Sequence, residues 1–369
     1  MARVLLSGYY GFGNVGDEAI LASTVESLRA RDPGIEISVL SANPEDTAKT
    51  YGVEAYGRMS PREVVKGLLA SDLVVFGGGS LLQDDTSFRS LLYYLSIIFA
   101  SRTFGKPVAV YANGVGPIRS WVGRLLTKLA LSSAKRITVR DPESEKLLRR
   151  IGVKRPVRVT ADPAFLLTPC TSERRNQILA SAGIPEDKPI VWLALRPGKA
   201  PESFYRSFVP VMGILRSKGY EPCFLVMQEQ DAELVPLVNR WLSEAGQDES
   251  RSVSGLNPRE ALAVLEKAEF CIGMRLHTLI LSARATVPFI GVEIDPKLGA
   301  FCRAAGCPVI PNPASVKSTD LALELERFMD IRDDLRRGLV EKLPIFTSLA
   351  ADNVDMVLAA LRGVDAEQE

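Results

Sequence analysis

Residues 3–18 read Arg-Val-Leu-Leu-Ser-Gly-Tyr-Tyr-Gly-Phe-Gly-Asn-Val-Gly-Asp-Glu, and this stretch decides the fold class. It opens with a short apolar run at residues 4–7, turns through several glycines and continues into an amphipathic stretch at residues 18–29. An apolar strand joined by a tight turn to a helix is the repeating unit of parallel sheets. The opening residues therefore predict an α/β protein.

The same alternation of short apolar runs and longer amphipathic stretches continues along the chain. In the first half it predicts strands at residues 37–40, 73–76, 108–111, 137–139 and 157–160, and helices at residues 91–102, 122–132 and 143–150. After a break it starts again, with strands at residues 190–195, 223–227, 270–272 and 289–292. The strands are continuous Val, Ile and Leu runs, as expected where helices cover both faces of a parallel sheet.

The chain length indicates how these elements are divided. With 369 residues, the chain is longer than a single hydrophobic core usually allows. We predict two Rossmann-like domains facing a cleft, at residues 1–165 and 189–318, joined by a proline-containing linker at residues 166–188 and followed by C-terminal helices at residues 319–369. Ligands of such sheets bind beyond the carboxyl ends of the strands, so residues that directly follow a strand are the first candidates for a site.

Overall composition argues against several classes of function. A net charge of +1 does not favour a nucleic-acid-binding protein, which usually carries a basic excess. The one histidine and the absence of a Cys-x-x-Cys pair argue against a zinc site, and the five scattered cysteines are typical of a reducing compartment. No run of apolar residues reaches the roughly 18 that span a bilayer. These features predict a cytoplasmic protein, either free or peripheral at a membrane.

Three glycine-rich loops follow strands in the first half, and the first begins at Gly11. Residues 11–16 match the G-x-G-x-x-G pattern of dinucleotide-binding turns, but Asp17 and Glu18 follow them, and a helix that receives a pyrophosphate should not begin with two acids. Residues 41–43, after the second strand, also lack the acid that would bind a ribose. The turn is then either an N-capped helix start or a specific site that includes Asn14 and Asp17.

The other two loops begin at Gly77, where three glycines precede Ser80, and at Asn113. Successive glycines let a ligand approach the backbone closely, and their amides can bind an anion, although a flexible loop is the alternative. Across the three loops, the residues predicted to bind a substrate are Asn14, Gly16, Gly78, Gly79, Asp84 and Asn113.

Four cations and the histidine also stand directly after predicted strands. Arg140 follows residues 137–139, Arg196 follows 190–195, Arg275 and His277 follow 270–272, and Lys297 follows 289–292. Guanidinium groups suit carboxylates and phosphates. The alternatives are solvated strand-end charges or, for Arg140, a surface pair with Asp141. A lone histidine is usually structural, but its place at a strand end beside an arginine favours a site here.

Two apolar or basic amphipathic segments, residues 91–102 and 121–136, allow two interpretations. Contact with anionic lipid would use Trp121, Arg124, Lys128, Lys135 and Arg136. Crossover helices that pack on the sheet are the more common explanation of such segments.

Taken in order, the motifs resemble those of the polysaccharide pyruvyl transferases. They are Gly-Asn-x-Gly-Asp-Glu at residues 13–18, the three-glycine loop, Arg140-Asp-x-x-Ser144, Arg275-Leu-His277 and Asp295-Pro-Lys297. The chain is most similar to the bacterial enzymes that add ketal-linked pyruvate to secondary cell-wall polymers, which anchor S-layer proteins. Two positions depart from the common family pattern, since Met274 stands where the family has Ser and Ile294 where it has Tyr.

The resemblance implies a glycosyltransferase-B-like fold and phosphoenolpyruvate as co-substrate, with no separate cofactor and no metal. It also implies a lipid-linked saccharide acceptor, typically with an N-acetylmannosamine residue, at the cytoplasmic face of the membrane. The donor carries a phosphate and a carboxylate, and several cations would neutralise it. The residues predicted to bind it are Arg140, Arg196, Arg275, Leu276 and Lys297.

Ketal formation also needs proton transfer. His277 is the predicted proton donor, because histidine suits acid catalysis near neutral pH. Asp17 is the predicted catalytic carboxylate on the acceptor side, with Asp84 or Asp85 as alternatives. Two other functions fit the same pattern: a nucleotide-sugar-dependent glycosyltransferase, and a protein that binds a lipid carrier or polysaccharide without catalysis.

Overall fold

The computed structural model describes residues 2–85, 87–316 and 318–363. It divides into a first unit, Met1–Leu167 with Phe346–Glu369, and a second unit, Thr168–Ile345. Each unit contains one sheet in which every strand pair is parallel, with helices between successive strands. The predicted α/β class with two parallel-sheet domains is therefore confirmed.

The sheet of the first unit has seven strands in the order β3-β2-β1-β4-β5-β6-β7. The strands are β1 Arg3–Ser7, β2 Glu36–Ser41, β3 Glu54–Gly57, β4 Leu73–Gly77, β5 Val108–Asn113, β6 Arg136–Val139 and β7 Arg158–Val159. The helices are α1 Val15–Arg31, α2 Pro44–Tyr51, α3 Pro61–Ala70, α4 Phe88–Thr103, α5 Trp121–Leu131 and α6 Pro142–Arg150. Every residue of β4, β5 and β6 is buried, including Arg136 at the start of β6, which the sequence had offered for contact with lipid.

The sheet of the second unit has six strands in the order β10-β9-β8-β11-β12-β13. The strands are β8 Ile190–Ala194, β9 Glu221–Leu225, β10 Ser252–Val253, β11 Ala268–Gly273, β12 Phe289–Glu293 and β13 Val309–Pro311. The helices are α7 Ser172–Ser181, α8 Glu202–Arg206, α9 Phe208–Ser217, α10 Leu234–Glu244, α11 Pro258–Leu265, α12 Leu276–Arg284, α13 Pro296–Ala305 and α14 Ser318–Leu361.

The segment expected to be a linker, residues 166–188, is not an unstructured connection. Most of it belongs to the second unit and contains α7, which Thr171 caps through a hydrogen bond from the Arg174 amide to its hydroxyl. Ile178 and Leu179 are buried, so this helix contributes apolar surface to the unit. The prolines that suggested a linker lie outside the helix, at Pro169 and Pro185.

The C-terminal region is one helix where several were expected, and α14 continues through Pro344. Residues up to Ile345 belong to the second unit, and those from Phe346 belong to the first. By length and composition alone, the span Thr319–Leu361 could cross a membrane, which the sequence analysis did not anticipate.

Parts of α14 are nevertheless buried in the cores of the two units. In the second unit these are Leu321, Leu325 and Phe328. In the first unit they are Val354, Val357, Leu358 and Ala360. The helix therefore supplies core residues at both of its ends.

Candidate active site

The carboxyl ends of β8, β11 and β12 lie side by side in the second unit. Gly273, the last residue of β11, is in register with Ala194 of β8 and with Gly291 of β12. The predicted donor-binding residues follow these three strands: Arg196 after β8, Arg275, Leu276 and His277 after β11, and Lys297 after β12. The sheet order thus brings to one edge a set of side chains that are up to about a hundred residues apart in sequence.

Arg275 is held by a carboxylate that the sequence analysis missed. Its Nε lies 3.0 Å from Oδ2 of Asp231 and its Nη2 lies 2.5 Å from Oδ1, so the guanidinium binds the carboxylate with two hydrogen bonds. The Asp231 side chain is only 2% exposed, and it lies in a short 3-10 helix, Glu229–Glu233, that follows β9. Its position soon after a predicted strand was the available signal. The pair fixes the orientation of Arg275.

Arg196 lies close to the same ion pair. Burial lowers the pKa of its guanidinium, and the positive charge of Arg275 lowers it further, whereas the carboxylate of Asp231 raises it. Its backbone is also held, because the Tyr205 hydroxyl donates to the Arg196 carbonyl at 2.5 Å. Arg196 thus adds a positive charge beside the Arg275–Asp231 pair, which favours binding of an anion.

His277 is the second residue of α12, and Arg275 occupies the N-cap position of that helix. Among the described residues, no side chain caps this helix terminus, which leaves its first amides oriented to favour a negative charge. Arg275, Leu276 and His277 are all half-buried, and the Nε2 atom of His277 is itself buried. The arrangement can therefore hold an anion beside an imidazole that can transfer a proton.

Lys297 is the second residue of the neighbouring helix, α13, which follows β12. Asp295 caps that helix and accepts a hydrogen bond from the Lys297 amide at 2.9 Å. Lys297 itself is half-buried. The helix start thus fixes the backbone of Lys297 at the same sheet edge as the arginines.

Arg140 differs from its predicted surroundings. It lies in the first unit, and its side chain is 6% exposed. Its Nη1 is 2.5 Å from Oδ2 of Asp162, and its Nη2 donates to the Ser80 hydroxyl at 2.8 Å. The alternative of a surface ion pair with Asp141 is wrong, because the Asp141 carboxylate instead accepts a hydrogen bond from the Ser144 amide and caps α6. Arg140 therefore connects the three-glycine loop to the residues after β7, and its contact with the donor stays a prediction.

The three-glycine loop packs directly on the start of α1. Gly79 has a φ of +77°, and a Cβ there would come within 2.6 Å of the Asp17 carboxylate. A Cβ on Gly78 would lie 2.3 Å from the Ile20 side chain. Asp17 itself is 9% exposed. The predicted catalytic carboxylate and the predicted acceptor loop are thus brought together, and glycine is required for their contact.

The G-x-G-x-x-G turn binds a carboxylate of its own chain. Glu18 accepts a hydrogen bond from the Gly11 amide at 2.7 Å and another from the Tyr51 hydroxyl at 2.8 Å. Asn14 caps α1 and accepts from the Gly16 amide at 3.0 Å. The Gly11 amide is therefore used internally, which agrees with the argument against a dinucleotide.

Two other acceptor-side candidates differ in their surroundings. Asp84 uses both carboxylate oxygens to accept from the amides of Arg119 and Ser120, at 2.7 and 2.8 Å, and so stabilises the start of α5. Asn113 is fully buried at the end of β5, and neither its Oδ1 nor its Nδ2 has a hydrogen-bond partner among the described residues. Because an unsatisfied buried amide is costly, Asn113 is the stronger candidate for a bound polar group.

An aromatic cluster around Arg58 was not anticipated. The Tyr9 and Phe12 rings stack with centroids 4.1 Å apart, and the Arg58 guanidinium lies 4.9 Å from Phe12 and 4.6 Å from Tyr93. Arg58 is buried and its Nη1 donates to the Gly8 carbonyl, whereas Phe12 is 40% exposed. The aromatic residues that follow β1 were a signal, but the place of Arg58 depends on β3, which was not predicted.

Comparison with known proteins places this geometry in a family. The sequence profile of the polysaccharide pyruvyl transferases matches residues 14–296, which include Arg140, Arg275 and His277 and end one residue before Lys297. The chain belongs to the polysaccharide pyruvyl transferase family. It is also 22% identical to the amylovoran biosynthesis protein AmsJ of Erwinia amylovora, over 95% of this chain and 98% of that protein. The enzyme class is therefore that of transferases that attach pyruvate to polysaccharide.

Similarity to solved structures confirms that this pyruvyl transferase has a glycosyltransferase-B-like fold. MnaA of S. aureus with UDP has a TM-score of 0.68 at 12% identity, over 99% of this chain and 98% of that one. The UDP-GlcNAc 2-epimerase of Neisseria meningitidis has a TM-score of 0.67 at 11% identity, over 96% and 99%. HepE of Anabaena with UDP and glucose has a TM-score of 0.64 at 10% identity, over 98% and 100%. These likenesses concern the fold alone.

Proposed function

We propose that this protein transfers pyruvate from phosphoenolpyruvate, as a ketal, to an amino sugar of a lipid-linked cell-wall polysaccharide precursor and releases phosphate. N-acetylmannosamine is the proposed sugar, and the polymer is of the secondary cell-wall type that anchors S-layer proteins. The proposed location is the cytoplasm, with peripheral attachment to the inner face of the plasma membrane. Family membership supports the pyruvyl transfer, and the residues of the two units support the assignment of donor and acceptor.

The observation that carries the proposal is the cationic edge of the second unit. Arg275 pairs with the Asp231 carboxylate, and Arg196 lies near this pair, beside the uncapped start of α12, where His277 stands. Phosphoenolpyruvate has close to three negative charges at neutral pH, so it gains from both guanidinium groups, from Lys297 and from the helix terminus. We therefore assign the donor to the second unit.

The reaction needs one proton and two acceptor hydroxyls. A first hydroxyl adds to the enol carbon of phosphoenolpyruvate while the methylene carbon receives a proton, which makes it a methyl group. The second hydroxyl then displaces phosphate from the same carbon, closes the ketal and gives its proton to the departing phosphate. His277 is the proposed donor of the proton, and the cations stabilise the departing phosphate. Asp17 is the proposed base for an acceptor hydroxyl.

We assign the acceptor to the loops of the first unit. Asn113 offers a buried amide whose donor and acceptor groups could bind sugar hydroxyls or an N-acetyl group. Phe12, exposed and stacked on Tyr9, offers an apolar ring face of the kind that packs against the C–H face of a pyranose.

Replacing Phe12 by Ala is expected to raise the KM for the saccharide about tenfold, because an exposed aromatic contact contributes roughly 1–1.5 kcal/mol. The KM for phosphoenolpyruvate should not change. Steady-state kinetics with each substrate varied separately measures both constants. Phe104→Ala is the matched control, since Phe104 is 38% exposed but follows the far end of α4. An equal rise in both KM values would contradict the assignment.

Replacing Arg196 by Gln is expected to weaken donor binding roughly tenfold or more, because a charge-assisted hydrogen bond contributes about 1.5–3 kcal/mol. In the wild type, phosphoenolpyruvate at about 100 times its dissociation constant should stabilise the protein by about 2.7 kcal/mol, and the variant should keep about half of this gain or less at the same concentration. The melting temperature of each protein, measured with and without phosphoenolpyruvate, gives this stabilisation. Arg327→Gln is the control, since Arg327 is exposed and, within the part of the chain that the structure describes, forms its ion pair with Glu324 of the same helix.

The overall proposal is tested by phosphate release from phosphoenolpyruvate with a synthetic lipid-linked disaccharide that ends in N-acetylmannosamine. The expected result is one phosphate released per pyruvate attached, with the product identified by mass spectrometry. Parallel reactions replace phosphoenolpyruvate by UDP-sugars. Sugar transfer from a nucleotide, without phosphate release from phosphoenolpyruvate, would contradict the proposal.

A further inference from the structure

Two neighbouring helices of the first unit expose a row of large apolar side chains. On α5 these are Trp121, Leu125 and Leu129, with exposed fractions of 74%, 46% and 46%. On α4 they are Phe88 and Leu92, each 37% exposed. The spacing of four residues places each set on one side of its helix. We call these five side chains the α4/α5 surface.

Packing of the sheet does not account for the α4/α5 surface. The inner side of α5 is buried through Thr127, Ala130 and Leu131, so the crossover role expected from the sequence is satisfied by other residues. The two helices touch closely, because a Cβ on Gly123 would lie 3.0 Å from the Leu91 side chain. Single exposed apolar residues are ordinary, but five on adjoining helices form a patch of the kind that marks an interaction site.

The chain around the α4/α5 surface has an unusual charge. Between Asp85 and Asp141 there is no Asp or Glu, whereas there are nine basic residues; the side chains of Arg136 and Arg140 are buried, and the other seven are Arg89, Arg102, Lys106, Arg119, Arg124, Lys128 and Lys135. The whole chain has a net charge of only +1. Arg89, Arg124 and Lys128 are exposed on α4 and α5 themselves. The partner of this surface should therefore carry negative charge.

We infer that the α4/α5 surface docks on a lipid bilayer with anionic headgroups. A short helix with Trp and Leu on one side and Arg and Lys beside them has the chemistry of an element that lies in a membrane interface. A second copy of the chain fits less well. A two-fold interface would place the same surface on both sides and set like charges against one another.

The place of the surface in the fold supports this inference. Phe88 and Trp121 are the first residues of α4 and α5, and both helices start at the carboxyl edge of the sheet, after the glycine-rich loops. Asp84 links the two starts, since it precedes α4 and accepts from the Arg119 and Ser120 amides ahead of α5. If the loops bind a lipid-linked acceptor, which rests on the proposed function, docking here would keep them near its lipid.

The test is co-sedimentation of the full chain with vesicles of phosphatidylcholine alone and with phosphatidylglycerol added. The wild type should bind the phosphatidylglycerol vesicles, and binding should weaken as salt rises. The triple variant Trp121→Gln, Leu125→Gln, Leu129→Gln should bind at least about tenfold more weakly. The double variant Arg89→Gln, Lys128→Gln should also lose on the order of tenfold.

The control variant replaces three exposed apolar residues elsewhere, Leu69, Val340 and Ile345, by Gln, and it should bind as the wild type does. Circular dichroism and the melting temperature should be unchanged in all variants. The inference is overturned if the wild type does not bind phosphatidylglycerol vesicles at low salt, or if the triple variant binds equally well.

Two further measurements separate this inference from others. In the first, the wild type sediments as a dimer and does not bind vesicles, whereas the triple variant sediments as a monomer. That result would make the α4/α5 surface an interface between copies and overturn the inference. Vesicle binding together with no phosphate release in the enzymatic assay would contradict the proposed function and leave the docking surface supported.

Discussion

Replacing His277 by alanine is expected to lower pyruvate transfer by about a thousandfold while the protein stays folded. Removal of a positioned proton donor typically costs a factor of about 10² to 10⁴ in rate. His277 is half-buried in the first turn of α12, and its removal leaves Arg275 and Asp231 paired. The loss should therefore appear in kcat, with little change in the binding of phosphoenolpyruvate. A continuous phosphate-release assay measures it.

A second substitution separates a chemical role of His277 from a structural one. His277→Asn is the second variant, because it keeps a polar side chain but cannot transfer the proton, and it should be as inactive as alanine. Near-normal turnover in either variant would exclude the mechanism.

Replacing Arg140 by alanine is expected to destabilise the first unit by about 3–5 kcal/mol, because it leaves a buried carboxylate without its counter-charge. The side chains of Arg140 and Asp162 are 6% and 3% exposed, and Arg140 also holds the Ser80 hydroxyl. The urea concentration at the midpoint of unfolding should fall accordingly. The double variant Arg140→Met, Asp162→Leu removes both charges and should recover most of the loss.

A surface ion pair supplies the control for this measurement. Arg119 and Asp85 lie 2.7 Å apart, but their side chains are 76% and 49% exposed, so Arg119→Ala should change stability little. The same samples test the predicted contact of Arg140 with the donor. If phosphoenolpyruvate still raises the melting temperature of Arg140→Ala, Arg140 acts by positioning the glycine loop alone. An effect of Arg140→Ala no larger than that of Arg119→Ala would contradict the buried-pair argument.

The secondary structure was predictable where the signal is local. Strands such as β1, β4 and β11 are apolar runs long enough to be recognised, and the residues after them were correctly placed at strand ends. The strands that were missed, β3, β10 and β13, are two to four residues long and lie at or near sheet edges. A short edge strand buries little apolar surface, so its sequence hardly differs from that of a loop.

The division into two units shows a second limit. A region that contains several prolines suggested a linker. The structure instead has helix α7 there, and its side chains Ile178 and Leu179 are buried in the second unit. Several C-terminal helices were predicted, whereas α14 is one helix, and the sequence did not indicate that one part of it would complete the core of each unit. Which core a helix joins depends on the surfaces left open by the rest of the fold, and the helix sequence does not contain that information.

Sequence alone was enough to identify the βα repetition, the glycine-rich loops and a lone histidine after a strand, because backbone preference and hydrophobic period are properties of neighbouring residues. Tertiary structure decided the partners. Arg275 meets Asp231, 44 residues away, and Arg140 meets Asp162 across the sheet edge. Such pairs form because the order and register of distant strands bring them together. His277 was therefore visible in the sequence, while the charges that surround it were decided by the sheet.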